Sequence, residues 1–161
     1  MTSAASAGAE TPRSPCIFCA IANKEIPARI IHEDDDFVAF LDINPIRPGH
    51  VLIVSRAHHA YFDDLPSDVA ARMVQLGQRL SKAMKRIHGV ERVGFLFTGT
   101  DIAHVHAHVV PLWGPTDITS SAYIEQQDLS FRPAPRASDE ELAKQSQRLR
   151  QALDGAHSIP E

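Results

Sequence analysis

The stretch "HVHAHVVP", residues 104–111, decides how the rest of this chain is read. Successive side chains of a β-strand point to opposite faces, and two residues advance the strand by roughly 6.5 to 7 Å. On a strand His104, His106 and His108 share one face, while Val105, Ala107 and Val109 share the other and bury there. Alternating imidazoles suit two tasks. Neutral imidazole ligates metals, and a ring with an unperturbed pKa of about 6.5 acts as nucleophile or acid–base group near neutral pH. Rings this close repel one another when charged, so at least one is expected to stay neutral at pH 7.

Working outward, "VGFLFTG" at 93–99 reads as the preceding strand, joined to the histidine strand by a short loop around Gly99 to Asp101. "HVLIVS" at 50–55 is a continuous apolar, β-branched run, which fits a strand buried on both faces. "RIIHEDDDFVAFLDI" at 29–43 reads as a hairpin: a strand around Ile30, an acidic turn at Asp34 to Asp36, and a strand from Phe37 to Ile43. "NPIRPGH" at 44–50 is turn chemistry. Pro66 and Ser67 open the clearest helix, in which Val69, Met73, Leu76, Leu80, Met84 and Ile87 form an apolar stripe that Gly89 ends. "CIFCAIANKEIPA" at 16–28 is a short helical turn ending near Asn23. Ser138 and Glu141 match a capping box for a last helix with a seam of Leu142, Leu149 and Leu153. Strands clustered around one long helix make the fold class α+β rather than alternating β-α-β.

At 161 residues, 43% hydrophobic and 22% charged, the chain is the size of one domain. A net charge of -4 and a pI near 6.1, with no Lys/Arg stripe, argue against a nucleic-acid partner. Residues 1–15 read as a mobile tail without the pattern of a secretory signal, and no later apolar run is long enough to span a bilayer. No membrane association and a cytoplasmic location are therefore expected. In that setting the pair Cys16 and Cys19 is metal-binding or redox-active rather than a structural disulfide. The segment 111–137 carries Trp113, Tyr123 and Phe131 and reads as a packed functional loop or a contact surface; Arg132 and Arg136 are its cations.

The histidine alternation and "CIFCAIANKEIPARIIHEDDDFVAFLDINPIRPGHVLIVSRAHH" at 16–59 together resemble the histidine-triad (HIT) superfamily over roughly residues 16–111. The resemblance implies an antiparallel sheet of about five strands with one long helix, a short N-terminal helix and a C-terminal helix. It divides the chain into a tail at 1–15, the HIT domain at 16–111, and an extension at 112–161 packed on the domain or on a partner subunit. Family members act at the α-phosphate of nucleotides through a nucleotidyl-histidine intermediate. That implies a hydrolase for purine nucleoside phosphoramidates or related nucleotide conjugates. By the same resemblance His106 is the nucleophile, His108 contacts the non-bridging oxygens, His50 approaches the same phosphate, and His104 completes the set. Asp42 matches the acceptor of the ribose hydroxyls, and Phe18, Ile21, Phe40 and Ile43 match positions enclosing the base. A bacterial branch holds zinc through C-x-x-C and two histidines, here Cys16, Cys19, His58 and His104, with spacing favouring His58 over His59. Four such donors make a closed, structural site. A homodimer is also implied.

The loop before the triad departs from the family pattern. "FTGTDIAHVHAH" at 97–108 lacks the usual Gln and Ser/Thr, leaving the Thr98 or Thr100 hydroxyl and the Gly99 amide to face phosphate. Asp101 either favours amine leaving groups by pairing with a cation, or caps the loop without meeting substrate. This departure keeps three alternatives open: dinucleoside polyphosphate hydrolysis, a nucleotide-binding sensor or interaction module with little turnover, and a metalloenzyme with the triad around a catalytic ion. Against the last, three residues on one strand span too far for a single ion.

Overall fold

The computed structural model describes residues 16–99, 101–118 and 134–155. Five strands, β1 (Ile30–Glu33), β2 (Phe37–Leu41), β3 (Val51–Ser55), β4 (Arg92–Phe97) and β5 (His106–Leu112), form one antiparallel sheet in the order β1-β2-β3-β5-β4. β3 lies at the centre with every residue buried, as its unbroken apolar run requires. The histidine strand pairs with it, Val54 opposite His106 and Leu52 opposite His108.

One face of the sheet carries α2 (Ser67–His88) and α3 (Asp139–Asp154). Met73, Leu76, Leu80 and Met84 of α2 and Leu142, Leu149 and Leu153 of α3 meet Ile53, Ala107 and Val109 there. Gly89 ends α2 in the left-handed region at φ 66, returning its N–H to the Lys85 carbonyl. α3 is thus packed on its own sheet. Ser138 caps it by accepting the Glu141 N–H at 3.2 Å, but the expected capping box is half made, because the Glu141 carboxylate takes the Gln145 amide at 2.6 Å.

The opposite face carries α1 (Ile17–Ala22), whose Phe18 and Ile21 pack on Val38, Phe40, Leu52 and Val54. The sheet therefore presents His106 and His108 on the α1 side and buries Ala107 and Val109 beneath the long helices.

Two strand ends differ from expectation. β2 stops at Leu41 instead of Ile43, because Asp42 Oδ1 accepts the Asn44 N–H at 2.8 Å and turns the chain. β5 starts at His106 instead of His104, because the His104 amide bonds the Ile102 carbonyl and the Val105 amide bonds the His59 carbonyl, both outside the ladder. Pro111 is tolerated in β5, where it pairs with Val93 of β4 after β5 has run past the last β3 pair at Val109. Tyr123, Phe131, Arg132 and the candidate Thr100 lie outside the described residues.

Candidate functional site

His106 is held at the mouth of β5 and is 7% exposed. Its Nδ1 lies 2.7 Å from the His104 carbonyl oxygen. A carbonyl only accepts, so Nδ1 carries the proton and Nε2 keeps its lone pair. His108, two residues on, sits on the same face, with its ring 5.0 Å from that of His106.

A second set of hydrogen bonds fixes His50 and His108. The Ile46 amide donates to His50 Nδ1 at 3.3 Å, which leaves the His50 proton on Nε2. Nε2–H then donates to His108 Nδ1 at 3.0 Å, and His108 Nε2–H donates to Thr98 Oγ1 at 3.0 Å. The Thr98 hydroxyl proton is left to point onward. Burial holds His50 below its usual pKa against the pull of the Asp42 carboxylate, whose Oδ2 is 3.4 Å from His50 Nδ1. Burial, followed by the charges of His50 and His106, pushes His108 down to about 4, so His108 is neutral at pH 7.

His104 is fully buried and turned elsewhere. Its Nε2–H donates to the Ser55 carbonyl at 2.8 Å, so Nδ1 offers a lone pair to the other side. There it meets Cys16 Sγ at 3.2 Å, Cys19 Sγ at 3.4 Å and His58 Nδ1 at 3.2 Å, with Cys19 Sγ 3.3 Å from His58 Nδ1. Zinc bonds of about 2.3 Å to sulfur and about 2.0–2.1 Å to nitrogen place tetrahedral ligands roughly 3.3–3.6 Å apart across N–N and N–S edges. The four donors fit that ion. In the thiol state burial raises Cys19 to about 11, with Cys16 adding to it, so a metal binding here displaces protons. Asp42, His50 and His108 also bring donors within 4.8 Å of one another, but the two histidines are already committed to each other and to Ile46. The three triad histidines do not converge on one point, which opposes the catalytic-ion arrangement.

The base-enclosing candidates Phe18, Ile21 and Phe40 form one buried patch, with the Phe18 ring 5.0 Å from His106 and 5.9 Å from Phe40. Ile43 stands apart at 46% exposure. Gly99 takes φ 83, and a Cβ there would press on the Tyr61 ring. Asp101 is exposed, and its charge acts on His108.

Two groups were missed in the sequence. A cleft of about 350 Å³ beside His106, Thr98 and Gly99 is walled by Tyr61, Phe62, Asp63 and Phe97, the rings of Phe62 and Phe97 lying 4.4 Å apart. The adjacent aromatics in "HHAYFDD" were its only signal. Arg47 of the His50 turn pairs with Asp117, which also accepts the Trp113 and Gly114 amides; this Arg47 contact brings the Asp117 carboxyl down to about 2. The pair ties the segment after β5 to the turn that carries His50, across a sequence distance that no local pattern reports. Trp113 itself is half exposed, its ring 5.4 Å from that of His88.

Fold and site together define a small α+β protein with a nucleophile-ready imidazole beside a Cys₂His₂ cluster. The HIT domain family matches residues 23–113. An uncharacterized HIT-like protein of Methanocaldococcus jannaschii is 32% identical over 119 residues, 71% of this chain and 92% of that protein. The adenosine 5'-monophosphoramidase HNT1 of Saccharomyces cerevisiae is 36% identical over 97 residues, 60% of this chain and 61% of its own length. The structure of a zinc-bound histidine triad family protein from Mycobacterium smegmatis matches with TM-score 0.70 at 30% identity, covering 89% of this chain and 96% of that one. The chain belongs to the HIT family.

Proposed function

We propose that this protein hydrolyses purine nucleoside phosphoramidates or related nucleotide conjugates at the α-phosphate, with His106 as nucleophile. The observation that carries the reading is the 2.7 Å bond from His106 Nδ1–H to the His104 carbonyl, which leaves Nε2 unprotonated next to a neutral His108. His106 Nε2 forms a bond to phosphorus as the bond to the leaving nitrogen breaks, and that nitrogen departs with a proton as the amine. Water then cleaves the phosphorus–Nε2 bond, releasing the nucleoside monophosphate and restoring His106. His108 Nε2–H and the Thr98 hydroxyl line the path of the phosphoryl oxygens, and the Gly99 amide is the nearest backbone donor in the shortened loop. Asp42 receives the ribose hydroxyls, and Phe18, Ile21 and Phe40, with Ile43 at the rim, receive the base. Cys16, Cys19, His58 and His104 hold a zinc ion that ties α1 to the sheet and supplies no step of the reaction.

The likeness to a monophosphoramidase supports the substrate class. The protein acts as a homodimer in the cytoplasm, with residues 112–161 shaping the entrance for the leaving group. Among the described residues no helix is long and apolar enough to cross a membrane. The test is product chromatography with adenosine 5'-phosphoramidate: AMP appears with the natural chain and is lost with His106→Ala. Exposed Asp101, whose charge reaches His108, favours one second reading, a nucleotide-binding module with little turnover. Tight AMP binding with no product from the natural chain would select it.

A further inference from the structure

The metal-ligand cluster and the nucleophile share a residue. His104 aims its ring at Cys16, Cys19 and His58 while its own carbonyl oxygen holds the His106 Nδ1–H at 2.7 Å. The ring's far side is pinned by the Ser55 carbonyl at 2.8 Å, so the side chain, the peptide and the neighbouring imidazole form one rigid path. A second connection runs through α1. Phe18 lies between the two cysteines, and its ring stands edge-on to His104 at 5.9 Å and against His106 at 5.0 Å. Phe18 also packs in the Ile21, Phe40, Leu52 patch proposed for the base. α1 is only six residues long and makes no side-chain capping bond at its start. A helix that short is not stable on its own, so its seat on the sheet depends on Phe18 and Ile21 and on whatever binds its cysteines.

We infer that the Cys16, Cys19, His58 and His104 cluster sets the nucleotide site as well as the fold, so that zinc and a purine nucleotide each raise the other's affinity. The inference rests on the nucleotide-site reading above. Zinc fixes the His104 peptide that orients the His106 ring and holds Phe18 against the base. A nucleotide that presses on Phe18 and meets His106 in turn holds the ligands in place. The cluster residues are positioning residues for the nucleotide site, and linkage requires the effect to be equal in both directions.

The experiment uses the full chain with zinc and AMP. Zinc affinity is measured by competition with a chromophoric chelator, with and without saturating AMP, and AMP affinity by calorimetry on zinc-loaded and metal-depleted protein. The expected result is a tightening of roughly fivefold or more, the same in both directions. Circular dichroism of the depleted chain shows whether it stays folded. Cobalt(II) placed in the cluster gives a readout on loaded, folded protein: its visible spectrum shifts when AMP binds. Phe18→Leu keeps all four ligands and an apolar side chain; it retains zinc and brings the coupling ratio close to one. Zinc and AMP that bind independently, with an unchanged cobalt spectrum, overturn the inference while leaving the nucleotide site standing. Failure to bind AMP at all overturns both, and failure to bind zinc removes the cluster from the account.

Discussion

The neutral state of His108 makes a quantitative prediction about stability. Its folded pKa of about 4 lies below the ordinary 6.5, and burial is the first cause. Between those values the unfolded chain binds a proton that the folded chain refuses, so stability is full above about pH 6.5 and falls as the pH drops toward 4. A gap of about 2.5 pH units corresponds to roughly 3 kcal/mol. His108 lies partly open to the cleft, so solvent screening reduces this to roughly 1.5–2 kcal/mol. The perturbation is His108→Asn, which keeps a neutral polar group and removes the titration. The assay is urea unfolding of both chains at pH 7.5, 6.5, 5.5 and 4.5, read as the difference between them. His50, His88 and the Cys₂His₂ cluster remain in both chains and drop out of that difference to first order. The natural chain should lose its margin over the variant by about 1.5–2 kcal/mol between pH 6.5 and 4.5. A difference that stays flat over this window refutes the buried, neutral His108.

Three further outcomes are expected. Thr98→Val removes the acceptor of His108 Nε2–H and the hydroxyl facing the cleft, so kcat for adenosine 5'-phosphoramidate should fall about 10²-fold, as for loss of one transition-state donor. Thr98→Ser should recover most of it, and equal rates for the two variants would remove Thr98 from the site. Leu149→Ala, at a fully buried position of α3, should cost about 2–5 kcal/mol in denaturant unfolding; a loss under about 1 kcal/mol would contradict the seating of α3 in the core. Asp101→Ser should raise turnover of a dinucleoside polyphosphate relative to a phosphoramidate, and an unchanged ratio would mean that Asp101 does not face the leaving group.

Much of the fold is legible because periodicity is a local signal. The stripe from Val69 to Ile87 specifies α2 and its buried face, and the β-branched run at 51–55 specifies a central strand. The cluster of Cys16, Cys19, His58 and His104 is legible through the family resemblance, and the structure brings its donors together as that resemblance implies. Strand ends are less legible, because alternation says which face a side chain takes but not where the ladder stops. His104 keeps the alternation yet leaves the strand, since its amide and that of Val105 find partners outside the sheet. The insertion of β5 between β3 and β4 is likewise a non-local choice. The Thr98 bond and the Arg47–Asp117 pair depend on segments brought together only by that topology.

The central claim is that His106 Nε2 attacks phosphorus, and the most direct measurement traps the product of that step. The natural chain is mixed with adenosine 5'-phosphoramidate, quenched within milliseconds under alkaline conditions that spare a phosphorus–nitrogen bond, and weighed by intact mass spectrometry, with peptide mapping of any adduct. The account predicts one adenylyl group per chain, carried on His106 and absent from His106→Ala. AMP released at full rate by His106→Ala, or an adduct carried on another residue, would contradict it.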